Sequence, residues 1–215
     1  MITKEVTLNH AKYFSAYLLL VWSIYRLIFN FPEPVEEIFI KPIVWFLPIF
    51  YLLGKEKLKF SSLGFSKKNL LTSVYFALAL GVGFALEGVI VNMLKYKGLN
   101  FSVNFTRQSF ILMFVISIIT AITEETTFRG YLFNRVWKAT GKEWLANFST
   151  SFVWGLIHIP MALLVWKIGL NQILVYFTLI SIFGIGSSYI FARSGNILSS
   201  ILLHIFWEWP IVLFR

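Results

Sequence analysis

Two adjacent glutamates followed by an arginine, in Glu124-Glu125-Thr126-Thr127-Phe128-Arg129, lie among long apolar stretches. So do the histidines of Trp154-Gly155-Leu156-Ile157-His158 and of His204-Ile205-Phe206-Trp207-Glu208. Carboxylates and imidazoles can take a proton from water near neutral pH, so the set points to hydrolysis by general acid–base chemistry. Ionisable side chains at membrane depth cost roughly 2.5–3.5 kcal/mol each on insertion scales, so each needs a partner or a chemical task.

On a helix, Glu125 and Arg129 are four apart and meet on one face, whereas Glu124 is turned by about 100°. Glu125 and Arg129 are therefore expected to form a neutralised supporting pair. Glu124 is left to face a cavity as the general base, and an apolar cavity makes a carboxylate more basic. His158 and His204 come from later helices. Counted from the expected cytoplasmic helix ends, Glu124, His158 and His204 lie roughly 9–15 residues deep, or ~13–23 Å at 1.5 Å per residue, and so converge at one level.

The elements that must position them are transmembrane helices. The 215 residues are 58% hydrophobic and 13% charged, against about 25% charged in a soluble domain. The fold class is therefore an all-α polytopic bundle, a single integral-membrane domain over 1–215 with its motif-bearing core at 109–214. Seven spans are expected, at 12–31, 39–54, 70–94, 109–136, 144–166, 171–192 and 197–214. The second is short and carries Pro42 and Pro48. The first apolar segment has no small-residue cleavage site and reads as a retained helix.

Placing the N-terminus in the cytoplasm puts twelve Lys and Arg inside, among them Lys55, Lys57, Lys59, Lys67, Lys68, Arg129 and Arg135. Six fall outside: Lys41, Lys95, Lys97, Arg107, Lys167 and Arg215. The net charge of +9 thus reflects topology, and no nucleic-acid partner is expected. The lysine-rich stretch 55–69 is expected on the membrane interface. Cysteine and aspartate are both absent, which excludes a thiol nucleophile, thiolate ligands and an aspartyl dyad.

These motifs resemble the CPBP family of intramembrane proteases, also called the CAAX-protease and bacteriocin-processing, or Abi, family. Its Glu-Glu-x-x-x-Arg motif matches Glu124, Glu125 and Arg129. Its aromatic-x-x-x-His motif, normally led by Phe, matches Trp154 to His158, and Ser194-Gly195-Asn196-Ile197 resembles the lead into its last motif. That motif usually ends in Asn or Asp, and here it is His204-x-x-x-Glu208. The resemblance implies a peptidase acting on a peptide or membrane-associated protein, with Glu124 and His158 activating water. It assigns the oxyanion to His204 and to the residue at 208. An ionised carboxylate repels an oxyanion, so Glu208 is protonated, orients His204 or turns away. A His158, His204 and Glu124 set with an open water position could also bind zinc; the helical His-Glu-x-x-His motif is absent, and the reading without a cofactor is preferred because the sequence fixes no coordination geometry. The competing class is a non-catalytic membrane immunity or scaffold protein.

Three further expectations concern the bundle itself. Arg26 and Glu87 are expected to pair, or Arg26 to snorkel to the interface. Pro160 is expected to perturb the fifth helix beside His158. Gly81, Gly83, Gly88, Gly184 and Gly186 are expected to be close-packing points.

Overall fold

The computed structural model describes residues 3–29, 31–98 and 110–213. Arg107 and Arg215 from the loop-charge reading, and the core limits Ser109 and Phe214, lie outside the described residues. Seven helices and no strand occur among those described. Helix α1 is Lys4–Ile28 and α2 is Glu33–Glu56, with a π-helical turn at Glu36–Ile40. Helix α3 is Leu70–Tyr96. Helix α4 runs as Phe110–Glu125, widens into a π-helical segment at Thr126–Phe133 and returns to α geometry at Asn134–Thr140. Helix α5 is Glu143–Val165, α6 is Leu170–Ser194 and α7 is Leu198–Leu213.

The helices α2 to α6 are long and apolar enough to cross a membrane. Helix α1 has the length but carries Lys4, Glu5, His10, Lys12 and Arg26, and α7 offers only the shorter apolar stretch Leu198–Glu208. The second span is longer than its sequence pattern predicts. It reaches back to Glu33 because its acidic residues find cations within the bundle: Glu36 pairs with Arg26, and Glu37 lies 2.7 Å from Lys41 Nζ.

Two expectations about charge are thereby corrected. Arg26 pairs with Glu36 rather than Glu87, while Glu87 accepts a bond from Trp207 Nε1 at 3.2 Å. Lys41 is buried inside the bundle and is not a loop lysine. Arg129 and Arg135, counted on the opposite side, are buried as well.

Helix α1 is held by one stripe, Ala11, Phe14, Leu18 and Trp22, all buried, at the spacing of a single helix face. Its start is capped by Thr3, whose hydroxyl accepts from the Val6 amide. Gly195 ends α6 at φ 65°, a left-handed conformation suited to glycine. Asn196 then accepts from the Leu198 amide at 3.0 Å and donates to the carbonyls of Ser66 and Lys68, both at 2.7 Å. The lysine-rich connection is thus tied to the turn that launches α7, which carries His204.

Close packing holds at Gly81, Gly184 and Gly186, where an added Cβ would come within about 3 Å of Phe206, Ser151 and Phe84 respectively. It does not hold at Gly83, whose added Cβ meets open space. Pro160 leaves α5 helical, and a π-helical turn, Met161–Val165, follows it.

Candidate active site

The π-helical segment of α4 begins directly after Glu125, and π-helical turns re-aim side chains at functional sites. Glu125 and Arg129 pair at 3.2 Å, as their spacing predicts. Glu125 does more than neutralise. It also accepts from Ser187 Oγ at 2.7 Å and from His204 Nδ1 at 2.7 Å, and it is wholly buried. A carboxylate can only accept, so His204 carries its proton on Nδ1 and its ring is oriented by the supporting glutamate.

Glu124 is not left unpartnered in an apolar cavity. Its Oε1 accepts from Lys41 Nζ at 2.6 Å and its Oε2 from Trp154 Nε1 at 2.8 Å. The indole bond depends on tryptophan standing where the family motif usually has phenylalanine, which has no donor. His158 Nε2 lies 4.0 Å from the same Oε2. Its Nδ1 is 2.7 Å from the Trp154 carbonyl. A carbonyl oxygen only accepts, so Nδ1 is the protonated nitrogen, and Nε2 presents a lone pair on the side of Glu124.

Trp154 is the centre of the packing. It is 1% exposed, and its ring lies 5.2 Å from His158, 5.9 Å from His204 and 4.6 Å from the Arg129 guanidinium. Phe183 stacks on Trp207 at 4.4 Å and closes the same side. Gly184 allows this approach, since a Cβ there would meet Ser151 at 2.9 Å and Arg129 Nη2 at 3.1 Å.

Glu208 accepts from Ser117 Oγ at 2.7 Å. One turn along the same face of α4, Thr120 Oγ1 donates to Glu37 at 2.8 Å. The structure therefore brings Glu124, His158 and His204 around Trp154, with Glu125 and Arg129 behind them. Glu208 joins α7 to α4 through Ser117. Sequence reasoning missed Lys41 and Glu37. Their signal was the i, i+4 spacing of Glu37 and Lys41, an ion pair on one helix face next to an apolar run.

Among the described residues no three His or Glu side chains are grouped as metal ligands. The Glu124 oxygens are already engaged by an ammonium and an indole N–H.

Comparison with known proteins agrees with the motifs. Residues 106–210 match the family model Rce1-like, described as Type II CAAX prenyl endopeptidase Rce1-like. This match supports the CPBP/CAAX protease family to which the motifs point. No curated protein matches the chain. The family match and the long apolar helices together support an integral membrane protein. Lys41 and Glu37 lie outside the residues that the family model matches.

Proposed function

We propose that the chain is an intramembrane endopeptidase that hydrolyses a peptide bond in a membrane-associated protein or peptide, using water activated by Glu124 and His158 without a metal. The 4.0 Å separation of Glu124 Oε2 from His158 Nε2 carries this reading. A water donating to two acceptors along bonds of about 2.8 Å, at its own angle, bridges a gap of about 4.4 Å. Both groups are acceptors here, so both protons of such a water are held and its lone pairs are turned toward a substrate carbonyl.

The oxygen of that water attacks the carbonyl carbon while one proton passes to Glu124. Glu124 then delivers the proton to the amine nitrogen as the C–N bond breaks. His158 keeps the water oriented, since its own N–H remains on the Trp154 carbonyl. The bundle supplies the dry surroundings in which these contacts are strong. An N-terminus on the cytoplasmic side is part of this reading and is supported by the basic residues: discounting buried Lys41, Arg129 and Arg135 leaves the two-to-one bias unchanged.

The test is cleavage of a quenched fluorescent peptide library by detergent-purified protein. Wild type is expected to cleave, and Glu124→Ala and His158→Ala each to lose roughly 10²–10⁴-fold in rate. Cleavage surviving both substitutions would discard the assignment. No cleavage by wild type, in detergent or in vesicles carrying membrane-anchored peptides, would favour a non-catalytic scaffold.

A further inference from the structure

A water attack on a carbonyl places negative charge on the former carbonyl oxygen, and a pre-positioned donor there is a large part of catalysis. Most donors around Glu124 are committed. Trp154 Nε1 is bonded to Glu124, His158 Nδ1 to the Trp154 carbonyl, and His204 Nδ1 and Arg129 Nη1 to Glu125. Glu208 brings a carboxylate that accepts from Ser117. It offers no amide donor.

Arg129 Nη2 has no partner among the described residues, but it packs against Gly184, whereas Lys41 carries an uncommitted donor and is bonded to Glu124 itself. Its ammonium has three N–H groups. Two point to carboxylates, Glu124 at 2.6 Å and Glu37 at 2.7 Å, and no third acceptor is paired with it among the described residues. The Trp22 and Trp45 rings flank it at 5.9 and 5.3 Å. Glu37 is itself fixed by Thr120, so the cation is anchored by a second carboxylate that is held in place. It is a positive charge held beside the base in apolar surroundings, where it acts strongly on developing charge.

We propose that Lys41 is a catalytic residue of the peptidase reaction, with its uncommitted N–H donating to the scissile carbonyl oxygen. The proposal rests on the peptidase reading above. As the water oxygen bonds to the carbonyl carbon, the C=O π pair moves onto oxygen beside Nζ, and the water proton goes to Glu124. Lys41 keeps its own protons throughout. Its carboxylate partner becomes neutral at the moment the oxyanion appears, so the ammonium exchanges one anion for another. That exchange favours the transition state over the ground state.

The experiment compares wild type, Lys41→Met and Lys41→Gln on the best peptide from the library, and measures binding of the matching phosphinate peptide, a tetrahedral anion. Lys41→Met is expected to lower kcat and phosphinate affinity together by roughly 10²–10³-fold, with KM within about threefold of wild type. A purely structural counter-ion would instead disturb KM, or leave phosphinate binding unchanged while the rate falls. Either result overturns the proposal, as does a kcat within about threefold of wild type. If Lys41→Met does not fold, Lys41→Gln decides by the same split: it keeps a neutral donor and is expected to lose about tenfold or more. A wild type that cleaves nothing removes this proposal together with the peptidase reading. A cleaving wild type with unimpaired Lys41 variants removes this one alone.

Discussion

Two buried carboxylates, Glu56 and Glu124, sit in the same bundle with nearly the same kinds of partner, yet only one leaves room for a reaction. Glu56 accepts from Arg135 Nε at 2.6 Å and from Tyr131 at 2.8 Å, with His10 Nδ1 at 3.2 Å, and its side chain is 1% exposed. Every partner is within hydrogen-bond reach, and the cluster ties α1, α2 and α4 together. Glu124 likewise has a cation, an aromatic donor and a histidine. Its histidine, however, stands back at 4.0 Å. A closed cluster is structural, whereas a cluster with a gap of water size can do chemistry.

The comparison breaks most sharply if the two carboxylates are removed in turn. Glu56→Ala strands Arg135 in a buried site, at a cost of about 3–5 kcal/mol. Thermal unfolding in detergent should show a large loss, while the molecules that remain folded cleave at the wild-type rate. Glu124→Ala should show the reverse: activity lost by roughly 10²–10⁴-fold, with a smaller loss of stability because Lys41 keeps Glu37. If Glu56→Ala abolishes turnover in folded protein, the division between a structural and a reactive carboxylate is wrong.

The contrast also explains what the sequence could show. Glu125 with Arg129 and Trp154 with His158 are local, four residues apart on one helix, so their geometry follows from helical periodicity. The convergence of Glu124, His158 and His204 follows from counting depth along spans. Lys41 could not be found that way. Its partner Glu124 lies 83 residues away, and the topology rule treats lysines near span ends as loop charges. Arg26 was assigned to Glu87 for a related reason. A second span that begins at residue 39 leaves Glu36 outside it, whereas α2 carries Glu36 into the bundle. The role of Glu125 in orienting His204 was hidden because a carboxylate already paired at i, i+4 offers no sign of a third partner.

A smaller effect sharpens the contrast from within the reactive cluster. Trp154→Phe retains the aromatic packing and removes only the indole N–H that fixes Glu124 Oε2. A hydrogen bond to a charged group contributes about 1.5–3 kcal/mol, so kcat/KM should fall by about tenfold or somewhat more, with little change in unfolding temperature. The equivalent removal at the closed cluster, Tyr131→Phe, should alter stability and leave the rate alone. Equal rate losses in both variants would show that the two clusters are coupled as one polar network.

The smallest expected effect is none at all, on chelation. Both carboxylates are balanced by protein cations, Glu56 by Arg135 and Glu124 by Lys41. A divalent ion at Glu124 would have to displace an ammonium 2.6 Å from its oxygen. Incubation with a strong chelator, followed by assay on the same peptide, should therefore leave the rate within experimental scatter. Activity lost on chelation and restored by zinc would mean that Lys41 leaves Glu124 in the working enzyme. The reactive cluster would then differ from the closed one by its cation as well as by its gap.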